Sequence, residues 1–389
     1  MYEANAKAIA RTLLREWRTD FLRKGRKEDT MSSVRSMSRP VLAATLLLVV
    51  WGAGAPLSTG DEVDVMAVRL EQAQNKIGWV MGSWPVEELY TGSIAAGMTA
   101  AYEWTGDVVF RTASRRAGYY ILRSSDDQGS LLGDEAYAFV RLSEAARVMD
   151  GEPTSPWQPA LVAFYASMRK PGYEESTEAY LAYFAEGEPS TTVFFLAHHV
   201  MAVYYVDDPD KELWRDALIR HLSRVDDSSG FPVMALGAAT WALAKSGGLD
   251  DMPVSSDDGA AYWDGVALSD LPAILRSHQV PTGETFGGSF FWRFDHTSGG
   301  LDSAAAGYTE DTIYGALGLT AAASLNDESP QDLKDAVTAA REVLLQGVDA
   351  EGRVYEHLAL AGATYHAFAG EMIQVLCEVE HYLNSAGSK

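Results

Sequence analysis

The residues most able to do chemistry lie in and around one stretch, SFFWRFDHTSGGLDSAAAGYTEDTIY (289–314). It holds Asp295, His296, Asp302, Tyr308, Glu310 and Asp311, and a further acid, Glu371, interrupts the apolar run FAGEMIQ near the C-terminus. Paired carboxylates can act as acid and base across a glycosidic bond. A Tyr or His base with a cation would instead suit elimination from a uronate. Glu371 stands out because a carboxylate in an apolar helix needs a partner. Thr309-Glu310-Asp311-Thr312 also has a simpler reading, a helix start with Thr309 as cap and two acids in the first turn.

Positioning such residues requires a scaffold, and from residue 62 onward the pattern is helical and recurrent. One helix type is small, aromatic and nearly uncharged in its middle: 90–104, 133–149, 190–205, 232–246, 308–325 and 364–383. The other is amphipathic: 63–80, 107–122, 155–185 (broken at Pro171-Gly172), 209–225, 267–278 and 329–347. A helix apolar all round must be buried on all sides, whereas one apolar stripe marks an outer helix. Six alternating pairs predict an all-α (α/α)6 barrel, with a short irregular or β insertion around 280–294. Small residues such as Gly97, Gly237, Gly315 and Gly318 would let the inner helices approach closely. An open solenoid of helical pairs is the structural alternative.

This alternation resembles the toroid shared by six-hairpin glycosidases, several polysaccharide lyases and the terpenoid-cyclase/prenyltransferase group. GSW (82–84) and GSFFW (288–292) are similar to the Gly-Ser-Trp/Phe turns of the last group's repeats, and GYTEDTIYGALGL (307–319) resembles the helix that follows them. The resemblance implies a cleft at one barrel end, lined by the loops that lead from outer into inner helices. Such loops meet inner-helix N-termini, where free N–H groups and the dipole favour anionic groups. It thereby adds Trp84, Glu88, Tyr90, Asp134, Trp292, Tyr314 and His366 as substrate-binding candidates. Acid/base work falls to two among Asp295, Asp302, Glu310, Asp311, Asp134 and Glu371, with His296 and Tyr308 assisting. Trp84 and Trp292 read equally well as core residues.

Several chemistries are disfavoured. Asp-x-Asp-Asp and Asp-Asp-x-x-Asp are missing, which counts against a terpenoid cyclase; DDPD (207–210) is a turn between helices. Gly-x-Ser-x-Gly and His-Glu-x-x-His are also missing. Cys377 is the single cysteine and lies in an apolar run, so neither an intrachain disulfide nor a cysteine-based zinc site is expected. His198-His199 reads as a core or groove pair rather than a metal pair, and Asp/Ser clusters at 124–127, 226–229 and 255–258 read as turns. No cofactor or metal is expected.

The 389 residues carry 54 Asp/Glu against 31 Lys/Arg, for a net charge of −23. Residues 1–60 hold ten of the basic and five of the acidic groups, so the remainder carries −28. Such a surface repels phosphate backbones and anionic membranes. SVRSMSRPVLAATLLLVVWGAGAP has the parts of a secretory signal: Arg35 and Arg39, an apolar run at 41–51, then small residues Gly52–Ala55. The domain expectation is an upstream segment plus signal over 1–60 (31–55 the signal proper), then one toroid over 61–389. Residues 1–30 are either an extended n-region or upstream sequence before a true start at Met31. The protein is thus expected to work outside the cytoplasm, with no membrane segment in its mature form. The reading is a secreted glycoside hydrolase or polysaccharide lyase acting on a polysaccharide or oligosaccharide. The alternative is a non-catalytic toroid binding a glycan, peptide or protein.

Overall fold

The computed structural model describes residues 59–76, 81–128, 131–169, 177, 181, 187–295, 305–325 and 330–386. The upstream segment, the signal, His296 and Asp302 lie outside the described residues. Among those described, the unit formed by Thr59–Ser124 and Leu131–Lys389 contains all the features below except the last residues of one helix, 125–128.

Six helices form the inner set and are buried along most of their length: α2 (Thr91–Thr105), α4 (Gly133–Val148), α6 (Pro189–Tyr205), α8 (Pro232–Lys245), α10 (Thr309–Ala323) and α12 (His366–Ala386). In α8 every residue from Pro232 to Ala244 is buried, and in α2 every residue from Thr91 to Tyr102. They alternate with α1 (Thr59–Ala73), α3 (Val108–Gln128), α5 (Trp157–Ser167), α7 (Lys211–Leu222), α9 (Leu271–Ser277) and α11 (Gln331–Gln346). In α11 burial is confined to Ala336, Val337, Ala339, Ala340, Val343 and Leu344, a single stripe. The all-α, six-pair architecture read from the sequence is the one observed.

The inner helices close into a ring: α2 packs on α4, α4 on α6, α6 on α8, α8 on α10, α10 on α12, and α12 back on α2. Outer helices sit over the seams; α1 touches α12 and α2, α7 touches α6 and α8, and α11 touches α10 and α12. The ring is tight because glycine lies at its closest crossings. A Cβ on Gly97 would stand 2.1 Å from the Gly370 carbonyl oxygen, and one on Gly237 would stand 2.5 Å from the Tyr314 backbone.

Helix starts follow local chemistry. Pro189 and Pro232 occupy the first turns of α6 and α8, where a missing N–H costs nothing. Gly106, left-handed at φ 73°, ends α2. The 280–294 insertion is irregular, held by isolated bridges such as Gln279 with Phe290 and, just beyond, Phe291 with Ala306. One feature lies beyond the sequence reading: an antiparallel hairpin of β1 (Tyr355–His357) and β2 (Ala361–Thr364) leads into α12. Its turn holds Leu360 at φ 56°, and Gly362 in β2 lies at φ 87°. No helix among the described residues is long and apolar enough to cross a membrane.

Candidate active site

Aromatic rings from four inner helices fill the middle of the barrel. Tyr137 of α4 meets Trp241 of α8 at 5.0 Å and His198 of α6 at 5.6 Å, while Phe194 of α6 meets Tyr314 of α10 at 5.2 Å. Burial pushes His198 down to about 4. The ring is therefore neutral near pH 7, and its Nδ1, 2.9 Å from the Phe194 carbonyl, carries the hydrogen. His199 faces outward to Tyr165, whose hydroxyl lies 2.9 Å from its Nδ1. The two histidines thus have separate partners, as a pair 100° apart on a helix should.

One helix supplies a polar stripe along this aromatic column. Glu371, Gln374 and Glu378 of α12 share a face at i, i+3 and i+7. Gln374 donates to the Tyr137 hydroxyl at 3.3 Å. Glu378, deeper along α12, takes Lys245 at 2.6 Å and lies 3.9 Å from Arg141, which also pairs with Glu103. Burial raises the Glu378 pKa, but the two cations outweigh it and the net direction is down. Ion pairs thus cross between α2, α4, α8 and α12 at the C-terminal end of the barrel.

The N-terminal end is different. The Tyr314 hydroxyl donates to Glu371 Oε1 at 3.0 Å. Glu371 Oε2 is buried and makes no hydrogen bond, and the residue is only 6% exposed. Burial, then the neighbouring Glu310 charge, push the Glu371 pKa well above the usual carboxylate range; Asp134 adds to this, and the Tyr314 and Ser93 hydroxyls offset only part of it. Glu371 therefore holds its proton far above the pH at which an exposed glutamate loses it. Tyr314 is pushed up as well, by burial and then by Glu371, so it serves as a donor and not as a base.

The other acids at this end are occupied by helix N-termini. Asp134 Oδ2 accepts from the Ser93 N–H of α2 at 3.1 Å. Asp311 accepts from the Met234 N–H of α8, and burial holds its pKa high. Glu87 accepts from the His366 and Ala367 N–H groups of α12 at 3.0 and 2.9 Å, with His366 Nδ1 3.1 Å from its Oε1. Burial raises the Glu87 pKa, but these bonds outweigh it and the net direction is down. Each is an acidic side chain reaching across to cap a neighbouring helix, which satisfies N–H groups that would otherwise be orphaned.

The structure therefore brings together Glu310, Glu371, Tyr314 and Asp134. It places the other described candidates elsewhere or in other roles. Trp84 is fully buried with its indole N–H on the Leu70 carbonyl at 2.9 Å, so it offers no face to a sugar. Asp295 pairs with Arg293 at 2.6 Å, and its N–H donates to Asp227 at 2.9 Å in the loop before α8. Trp292 is half-buried with the Arg293 guanidinium 5.3 Å from its ring centre. Tyr308 is the first residue before α10 and packs edge-on against His357 at 5.3 Å. Glu88 and Tyr90 are exposed just before α2. The sequence reading left Ser93, Phe194 and Trp241 out of its candidates; the i, i+4 spacing of Phe194 and His198 on an inner helix was the available signal. A surface cavity of about 400 Å³ is lined by Asp64, Val65, Val68, Arg69, Gln72 and Glu351, none from an inner helix.

Six helical hairpins closed into a ring define the class: the protein is an α/α toroid. It is similar in fold to an unsaturated glucuronyl hydrolase from Bacillus sp. GL1 (TM-score 0.53, 15% identity, 82% of this chain and 94% of that one). It is also similar to a polysaccharide lyase (TM-score 0.50, 12% identity, 84% and 98%). An α-1,6-mannanase from Salegentibacter sp. HEL1_6 aligns over 84% of this chain and 100% of that one, with TM-score 0.49 and 11% identity. No protein-family model and no curated protein sequence matches the chain. At these identities the likeness extends to the fold and not to the roles of residues.

Proposed function

We propose that the protein is a carbohydrate-directed enzyme, a glycoside hydrolase, working at the N-terminal end of the inner barrel. Glu371 is the proton donor to the leaving glycosidic oxygen, and Glu310, half-buried beside it, is the second carboxylate. One observation carries this reading. Glu371 is a buried acid whose Oε1 is fixed by Tyr314 and whose Oε2 makes no hydrogen bond of ordinary geometry, with the Ser93 hydroxyl also acting on the carboxyl, the arrangement of a carboxyl kept protonated to give its proton away. The fold shared with two glycan-cleaving enzymes supports it. Hydrolysis is favoured over elimination because a lyase needs a base and a cation, whereas Tyr314 is held neutral and the groups acting most strongly on Glu371 are acids and hydroxyls. The signal-like sequence at 31–55 supports work outside the cytoplasm.

A binding-only toroid is the second reading, favoured by the commitment of Asp134 and Asp311 to helix caps. Incubating the purified protein with a polysaccharide panel separates the two. The expected result is new reducing ends without unsaturated sugars. Unsaturated products would make it a lyase, and retention of a glycan without cleavage would make it a binder.

A further inference from the structure

We infer that the glycan accepted at this site is uncharged, bearing neither uronate nor sulfate groups around the bond that is cleaved. The inference rests on the hydrolase reading above and adds the substrate's charge to it. Six inner-helix N-termini converging at one end of a barrel would ordinarily make an anion site, since free N–H groups and helix dipoles point into it. Here the protein's own acidic side chains already sit on them. Asp134 takes the Ser93 N–H of α2, Glu188 the Ser190 and Thr191 N–H groups of α6, and Glu87 those of His366 and Ala367 in α12. Asp311 takes the Met234 N–H of α8, and Glu135 the Leu132 N–H just before α4. The sixth, α10, has no side-chain cap at Tyr308 but carries Glu310 and Asp311 in its first turn.

The second observation is Glu371 itself, 94% buried with Oε2 unpartnered. A neutral glycosidic or hydroxyl oxygen can accept the proton that Oε2 carries. A sugar carboxylate in the same place would face Glu310 and Asp134, the charges that already help keep Glu371 from ionising. Among the described residues, the basic groups that might offset this have partners: Arg293 pairs with Asp295, and Lys245 and Arg141 lie with Glu378 and Glu103 further down the barrel. Like charges brought together without a counter-ion are a means of rejecting a ligand.

The test takes the best neutral substrate found in the panel and oxidises its primary hydroxyls to carboxylates. Cleavage by the full-length protein is then compared for the native polymer, the oxidised polymer and its methyl ester. We expect kcat/KM to fall at least about tenfold on oxidation and to recover most of that loss on esterification, because charge and not bulk is rejected. Equal cleavage of the oxidised polymer, or loss that esterification does not reverse, overturns the inference. So does a uronate or sulfated polymer that proves the best substrate, although the hydrolase reading then survives. If nothing in the panel is cleaved, the hydrolase reading falls and the inference falls with it.

Discussion

Replacing Glu371 by Gln is expected to lower kcat/KM on the cleaved glycan by about 100- to 10,000-fold, the usual contribution of a positioned general acid. The protein should stay folded. A glutamine carbonyl can still accept from Tyr314, as Glu371 Oε1 does at 3.0 Å. The new amide N–H pair takes the place of an oxygen that already lacks a partner, so the stability change should stay within about 1–2 kcal/mol. The substitution also carries a pH signature. Because the folded-state pKa of Glu371 is raised, the native protein holds a proton that the unfolded chain releases near pH 4.3. Stability is therefore greatest below that value and falls as pH rises towards the folded pKa. Glu371→Gln should remove that component of the decline. Urea unfolding at several pH values, alongside kinetics, checks both statements; a variant that keeps full activity would contradict the catalytic assignment.

Gly97→Ala is expected to give the largest loss of stability from a single added methyl group. The new Cβ would lie 2.1 Å from the Gly370 carbonyl oxygen, which is backbone and cannot swing aside. Helices α2 and α12 would have to separate, and overpacking of this kind costs about 1–3 kcal/mol or more. Gly370 immediately precedes Glu371. The same displacement should therefore move the acid relative to Tyr314 and lower kcat even in molecules that fold. Ala95→Gly in the same helix serves as the comparison, since it removes a side chain instead of adding one and leaves this crossing clear. Calorimetry and kinetics on both variants read the effect. A Gly97→Ala protein as stable and active as the parent would mean the crossing is looser than described.

The alternation of helix types was legible because burial on all sides leaves a mark in composition. TGSIAAGMTAAYEW has no charged residue before Glu103, and α2 is buried from Thr91 through Tyr102. The β1–β2 hairpin was not legible, because RVYEHLALAGATY lacks a two-residue turn signal and places a leucine, Leu360, at positive φ. At the site, Glu371 could be recognised as a buried acid in need of a partner. That partner, Tyr314, is 57 residues away on the adjoining helix, and only the register of α10 against α12 selects it. Asp311 shows the opposite limit. Thr-Glu-Asp-Thr reads as a helix favouring its own first turn, yet the Asp311 carboxylate serves the N-terminus of α8. Trp84 shows that a residue type alone does not say whether a ring faces a ligand or the core; its indole nitrogen is committed to Leu70.

The account turns on Glu371 holding its proton well above the ordinary carboxylate range. Carboxyl ¹³C NMR of protein labelled at glutamate, with Glu371→Gln used to assign the resonance, measures this directly. The account predicts a Glu371 signal that begins to move only at a pH well above that at which exposed glutamates titrate, near pH 4.3. A Glu371 resonance that moves together with the exposed glutamates would contradict it.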